Sequence, residues 1–460
     1  MIEQLLEQAG RRADGGADAL WRRVERTAVS FEWGRLKAAG AAEEAGANLR
    51  VRHRGRVGVA GMTGIRTDGG GAQQVAPLLD RALASAALGE ELELAFPAPA
   101  VAPQIVTFFP RAADAGLDAL IALGRSLFQR LERDGCRVNV AVEREVVHTH
   151  VANSAGASGQ YRSTEVALSA DVWRIAGDDV LAVGDAWEGA DLPAEDDVAA
   201  VAASINTRID RALRIVQPPD GALPVVFTTS GLSALLLPVT QALSGKAVLQ
   251  GISPLGGRVG ERVFDVRFSL SDDALSPGRS ASRPLDDECV PSLTTCLVER
   301  GVVQRFIYDL ETAARAKTPS TGHGRRSIFG KPVPTYSNVV LASRPDSPSV
   351  GAQLAAPLPS RAAPPQLGGG LVHDVVDGLL VDELIGVGQG NVIGGAFSHP
   401  VALAYRIQRG EISGRVKDAA VAGNVYDLWK RIGGFGADAR WAGSRYAPSV
   451  LLDGVSVAHR

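Results

Sequence analysis

The spacing of apolar residues along the chain changes sharply at Gly135. Before this glycine, apolar residues recur at helical spacing from Leu117 to Leu131, which predicts an amphipathic helix that ends near it. After it, valines alternate with polar residues from Val138 to Val146, as in a strand with one buried face. Strands and helices elsewhere alternate irregularly, which indicates a mixed α+β fold rather than a repeated strand-helix-strand sheet.

A second amphipathic helix, with its apolar stripe from Val198 to Val216, is stopped by the diproline Pro218-Pro219. The chain has 460 residues, more than one hydrophobic core usually organises. We therefore predict an α+β domain over residues 1–217 and a β-rich domain over residues 222–460. Other predicted elements are short strands around Val29, Phe31, Val51 and Val57, a helix from Val75 to Leu88, and antiparallel strands at Val263–Leu270, Val302–Tyr308 and Gly378–Val387.

Charge and cysteine content limit the classes of function. The net charge is −3, which supplies no general attraction to nucleic acid or to an anionic membrane. Three cysteines are too few for a disulfide framework, and the acidic amino terminus does not resemble a signal peptide. The uncharged stretch from residue 221 to 245 contains two prolines and several hydroxyl residues, which favours a buried strand and helix over a membrane span. We expect a cytoplasmic protein with no nucleic-acid or membrane partner.

Residues 343–370 contain six prolines in 28 positions and end in three glycines. Proline at this density disfavours both helices and central strands, so we predict a long surface loop. A partner-binding motif is the alternative interpretation of the same stretch.

Motifs for common catalytic sites are absent from the sequence. There is no Gly-x-Ser-x-Gly element and no complete phosphate-binding loop. Among seven histidines, only His148 and His150 would share one face of a strand, where a metal site competes with the simpler reading of a polar strand face. The glycine-rich segment from Gly386 to Asn391 predicts a tight turn, with a ligand-contacting loop as the alternative.

Six segments, in their order and spacing, resemble the TldD/PmbA family. They are Asn153–Gly156, Val225–Gly245, Ala281–Glu288, Gly301–Ala314, Ser320–Gly322 and Pro448–Ala458. The resemblance covers nearly the whole chain. It implies an α+β amino-terminal domain followed by a carboxy-terminal domain built on a barrel-like antiparallel sheet.

The family resemblance also implies two kinds of subunit that pair as a cytoplasmic metalloprotease of unfolded or leader-bearing peptides. TldD-like chains carry a His-Glu-x-x-x-His zinc motif on a helix and a cysteine ligand near the carboxyl end, whereas TldE-like (PmbA) chains lack these ligands. Here Leu237, Pro238 and Ala242 stand in place of the motif, and the cysteine position falls near residues 442–444. The resemblance thus implies no catalytic residue and no metal in this chain, with zinc in a TldD-like partner.

The leading hypothesis is a TldE-type subunit that helps to form the peptide-holding cleft of a heterodimer, in general proteolysis or in the maturation of a modified peptide. Gly388, Gly390 and Asn391 are the candidate substrate-binding residues, since small residues allow close backbone approach. One alternative is an independent peptidase with an unrecognised site, such as zinc held by His148 and His150. The other is a non-catalytic homodimer that binds peptides.

Overall fold

The computed structural model describes residues 2–64, 72–342 and 367–459. Most of the predicted proline-rich loop, residues 343–366, therefore lies outside the described residues. Nine α-helices lie within these ranges: α1 (Ile2–Arg12), α2 (Ala72–Leu88), α3 (Pro110–Ala113), α4 (Leu117–Leu131), α5 (Glu195–Ala212), α6 (Ser233–Ala242), α7 (Gly245–Leu249), α8 (Leu310–Ala316) and α9 (Val425–Leu428). Short 3₁₀ helices occupy Leu371–Asp374 and Val392–Gly394.

The strands in the described part of the chain, in sequence order, are β1 (Ala17–Glu32), β2 (Arg35–His53), β3 (Arg56–Thr63), β4 (Cys136–Asn153), β5 (Ser158–Ala176), β6 (Asp179–Gly189), β7 (Ile215–Val216), β8 (Gly221–Phe227), β9 (Ser269–Asp273), β10 (Thr294–Glu299), β11 (Val302–Val303), β12 (Gly324–Arg325), β13 (Val333–Pro334), β14 (Val339–Ala342), β15 (Asp377–Leu384), β16 (Ala396–Gln408), β17 (Glu411–Val416), β18 (Ala419–Asn424), β19 (Ile432–Phe435), β20 (Arg440–Ala442), β21 (Arg445–Ala447) and β22 (Val450–His459).

The first six strands form one antiparallel sheet in the order β3-β2-β1-β4-β5-β6. The predicted strand after Gly135 is confirmed as β4. The strands around Val29 and Val51 are far longer than predicted, since β1 has 16 residues and β2 has 19. The first ten residues of β2, Arg35–Glu44, are exposed. They carry no alternation of apolar and polar residues, and the sequence gives no signal there.

Helices α4 and α5 cover part of this sheet, because their apolar stripes match its buried valines. Leu120, Leu127 and Ile205 are buried against Val140 and Leu168. The predicted helices at residues 75–88, 117–131 and 198–216 are confirmed, with one difference. Helix α5 ends at Ala212, since the next residues leave the helix and pair as β7 with β17.

The second large sheet has eight strands and closes on itself. β16 pairs with β18 through its first residues and with β15 and β17 through its last, which joins β15, β8, β22, β18 and β16 into a ring. The predicted α+β class with a barrel-like, mainly antiparallel sheet is confirmed. The uncharged stretch 221–245 forms β8 and α6, as predicted. No helix in the described ranges is long and apolar enough to cross a membrane.

Two strand predictions in this half are largely wrong. In Val263–Leu270 only the last two residues belong to β9, and in Val302–Tyr308 only the first two form a strand. Phe264, Phe268 and Ile307 instead lie in irregular segments, and they are buried in the core. Their apolar spacing reflects core packing against α6 and the barrel, and not the alternation of a paired strand.

A buried network of charged residues joins the first sheet to the second half of the chain. Arg50 on β2 donates to Glu288 (Nη1 to Oε1, 2.7 Å) and to Asp18 on β1 (Nε to Oδ1, 3.1 Å). Arg326 donates to the same oxygen of Asp18 at 2.9 Å, and Arg22 donates to Asp287 at 2.7 Å. Burial would raise the pKa of Asp287, but Arg325 and Arg22 outweigh it and lower that pKa to about 2.

The two halves also share apolar packing, since Leu380 and Tyr405 of the barrel lie in the same core as Leu168 of the first sheet. The domain division at the diproline stays a prediction.

Replacement of Arg50 tests how strongly the buried network holds the halves together. Arg50→Ala leaves Glu288 buried without its cation and Asp18 with Arg326 alone, so we expect the free energy of unfolding to fall by about 3–5 kcal/mol in chemical denaturation. Arg258→Ala is the control, because it breaks an exposed pair with Glu261 and should cost less than about 1 kcal/mol. Equal losses in the two variants would contradict a special role for the network.

Candidate functional site

Helix α6 is anchored through its backbone carbonyl groups. Pro238 lies inside the helix and supplies no N–H donor, which would normally weaken it. Three aromatic side chains donate hydrogen bonds to the helix: Trp429 Nε1 to the carbonyl of Leu235 (3.1 Å), Tyr426 Oη to that of Pro238 (3.2 Å) and Tyr336 Oη to that of Thr240 (2.7 Å). These bonds fix the helix against the barrel core despite the proline.

One side of α6 lines a cavity of about 320 Å³. Leu237 and Pro238 form one wall, and the turn that follows β15 forms another. Gly386, Gly388 and Gly390 in this turn have φ values of 77°, 93° and 76°, which favour glycine and agree with the predicted tight turn.

The structure separates the three predicted substrate-binding residues. Gly388 lines the cavity, and a Cβ atom built on it would lie 3.6 Å from Leu237 Cδ2. Gly390 and Asn391 are exposed and are not among the residues that line the cavity. A substrate-binding role for all three stays a prediction.

A larger cleft of about 810 Å³ adjoins this cavity. Val387 lines both spaces, so they lie side by side. The walls of the cleft come from the middle of β6, the end of β15, the start of α6 and the turn between β20 and β21, with Ser233, Glu383, Ala442 and Arg445 among the lining residues.

The β6 wall of the cleft is a sheet edge, because β6 pairs only with β5 in the described part of the chain. The Gly184 carbonyl accepts a hydrogen bond from Arg208 Nη2 at 2.8 Å, and the Ala186 N–H donates to Asp185 at 2.9 Å. These partners indicate that the even-numbered residues point their backbone groups away from β5. Arg208 and Asp185 occupy two of these outward groups, so an added strand would pair with the remaining ones, such as those of Ala182.

Most charges in the cleft neutralise one another. Arg208 donates to Asp382 (Nη1 to Oδ2, 2.8 Å) and forms an ion pair with Asp185 at 3.4 Å. Burial alone would lower the pKa of Arg208. The two carboxylates outweigh this effect and raise that pKa above its usual value. Arg440 pairs with Asp185 at 2.9 Å.

Arg445 lines the same cleft, and no carboxylate in the described residues pairs with it. Its Nη2 donates to the Thr229 carbonyl and to Ser233 Oγ, each at 3.1 Å. Burial, and then the neighbouring Arg440, lower the pKa of Arg445.

The sequence patterns did not indicate these cleft residues, although two of them carry a weak signal. Arg208 lies on the buried stripe of α5, where an apolar residue is expected. Asp382 interrupts the apolar run of β15 and is buried. A charged residue at a buried position requires a partner of opposite charge. Arg208 and Asp382 could therefore be recognised from the sequence as candidates for a buried ion pair.

The positions that the family resemblance assigns to the zinc motif and to the cysteine ligand line or adjoin this site. Leu237 and Pro238 line the cavity, Ala242 is buried in the same helix, and Ala442 lines the cleft. None of these four side chains carries a nitrogen, oxygen or sulfur atom that could bind zinc. The residues present therefore do not fit a zinc ion.

The pair His148 and His150 lies on β4 and lines a separate cavity of about 570 Å³. The strand spacing brings the two side chains to one cavity, as predicted. Burial lowers the pKa of both, and Arg162 lowers that of His148 further. A cationic guanidinium beside His148 disfavours a bound metal cation, and the described residues contain no group of three or more potential metal ligands.

A cluster of glutamates lies near the turn between β20 and β21. Glu165 on β5 faces Glu145 on β4, and Glu188 on β6 lies beside Gly443 in that turn. Burial, followed by Glu188 and Glu145, raises the pKa of Glu165 to about 7.

Glu165 should make the protein less stable as the pH rises from about 4.5 to 7, because the unfolded chain loses this proton first. We expect Glu165→Gln to flatten this dependence and to raise the free energy of unfolding at pH 8 by roughly 1–3 kcal/mol. Denaturation at pH 5 and pH 8 measures the difference. Glu411→Gln, at an exposed position on β17, is the control. A Glu165→Gln variant with the unchanged pH slope would contradict the raised pKa.

Comparisons with known proteins identify relatives of the chain. A family model described as the PmbA/TldA metallopeptidase C-terminal domain matches residues 220–459. A Methanothermobacter thermautotrophicus protein named Metalloprotease is 28% identical over 254 residues, which cover 55% of this chain and 51% of that protein. A Haemophilus influenzae protein named Metalloprotease PmbA homolog is 24% identical over 239 residues, covering 51% and 46%. The matched region spans about half the length of these relatives.

The fold is similar along the whole chain to the crystal structure of TldE from Thermococcus kodakarensis. The TM-score is 0.84 at 22% sequence identity, and the match covers 99% of each chain. At this identity the similarity concerns the fold alone.

Proposed function

Because this chain belongs to the TldD/PmbA family, we propose that it is the TldE-type, metal-free subunit of a cytoplasmic heterodimeric metalloprotease. One observation carries the proposal. Leu237, Pro238 and Ala442 line an accessible cavity and cleft, but they cannot bind zinc or activate water. The chain has the cleft but lacks residues at these positions that could bind zinc or activate water. In this proposal a TldD-like partner supplies the zinc.

The subunit contributes the surface that holds the peptide. Its β6 edge offers backbone hydrogen bonds, which bind an extended peptide with little dependence on side chains. This suits unfolded or leader-bearing peptides of varied sequence. Gly388 in the adjoining wall leaves room for a backbone to approach.

Reconstitution with a TldD-like chain from the same organism tests the proposal. We expect cleavage of an unfolded peptide only when both chains are present, with stoichiometric zinc in the partner alone. Turnover by this chain without a partner would support the independent peptidase. Peptide binding by a self-dimer that neither joins nor activates the TldD-like chain would support the homodimer.

Blocking the β6 edge tests how the peptide is held. In Ala182→Pro the outward N–H is removed, while the ring is tolerated on an edge strand. We expect peptide affinity to fall by roughly threefold to tenfold, the effect of one lost hydrogen bond, as measured by fluorescence anisotropy. Ala182→Val keeps the N–H and is the matched control. If both variants bind like the original protein, the peptide does not use this edge.

A further inference from the structure

We infer that Arg445 receives a carboxylate group of the bound peptide. This inference rests on the proposed function and specifies which peptides the cleft prefers. It begins from the charge balance of the cleft, where Arg208 and Arg440 are already paired with Asp382 and Asp185.

The guanidinium of Arg445 keeps unused donors. Only Nη2 has acceptors, and both are uncharged oxygens. Nε is buried without a hydrogen-bond partner. Nη1 also has no acceptor among the described residues, and Arg445 lines the cleft.

A partly buried cation without a counter-ion is unfavourable, and a ligand anion would relieve this cost. The planar fork of arginine matches a carboxylate, which can accept two parallel hydrogen bonds. Arg445 also touches Ser233, the first residue of α6, so an anion there would lie near a helix amino terminus, which favours negative charge.

The remaining charges of the cleft favour a carboxylate over a phosphate. Asp171, Asp185, Asp382 and Glu383 also line this space. Of these four, Asp171 and Glu383 form no ion pair with a cation in the described residues. They would repel a dianion more strongly than the single negative group of a peptide whose chain is neutral or basic. The carboxylate has two possible sources, the peptide carboxyl terminus or an acidic side chain.

Three synthetic decapeptides of neutral, extended sequence distinguish the sources: one with a free carboxyl terminus, one amidated, and one amidated with a single internal glutamate. Each is titrated into the purified full chain and followed by fluorescence anisotropy at low salt. We expect at least one carboxylate peptide to bind about tenfold more tightly than the neutral amide. The peptide that gains affinity identifies the source.

Substitutions at Arg445 connect this preference to the residue. In Arg445→Gln the preference for a carboxylate should disappear. In Arg445→Lys it should be weaker, because lysine keeps the positive charge but lacks the planar guanidinium that donates two parallel hydrogen bonds. Arg258→Gln, at an exposed position, should keep it. If Arg445→Gln does not fold, the comparison of the three peptides on the original chain still decides whether a carboxylate is preferred.

Equal binding of the three peptides, or a preference that survives in Arg445→Gln, would overturn the inference. Failure of the free chain to bind any of them would overturn it as well. None of these results bears on the subunit role, because cleavage in the reconstituted pair is measured separately.

Discussion

A buried ion network and a shared apolar core join the two halves of the chain, and the cleft is built from both halves. Arg50 and Arg326 bring Asp18 of the first sheet together with the acidic segment that ends at Glu288. Breaking a buried ion pair is strongly destabilising, so the network helps to hold the sheet against that segment. The β6 wall of the cleft belongs to this sheet and the α6 wall to the barrel. The shared apolar core packs the sheet and the barrel together, and the cleft lies between these two walls.

Local periodicity predicted those elements whose burial is one-sided. Helices α4 and α5 and strand β4 each bury one face, and their patterns are readable in the sequence. The long exposed part of β2 has no buried face, so nothing in its composition indicates a strand. The opposite error occurred at Phe264 and Phe268, where an apolar pattern in an irregular segment was interpreted as a strand. The spacing of apolar residues indicates which residues are buried. It indicates secondary structure only where the buried residues follow the repeat of a helix or a strand.

The cleft itself could not be predicted from periodicity, since its residues come from distant parts of the chain. Arg208, Asp382 and Arg445 lie on α5, β15 and β21, and no spacing rule connects them. The family resemblance could indicate that Leu237, Pro238 and Ala242 stand in place of the zinc motif. It could not indicate that Ala442 and the β6 edge line one cleft, because this requires the packing of the sheet against the barrel.

Helix α6 forms a wall of the cavity although Leu237 and Ala242 offer no metal ligand. A proline in a helix interior costs roughly 3 kcal/mol, and the apolar residues at positions 237 and 242 offer no metal to offset it. The helix is instead stabilised by hydrogen bonds from Trp429 and Tyr426 and by burial against the barrel core. The position of this wall of the cavity is thus set by aromatic side chains and core packing within the chain itself.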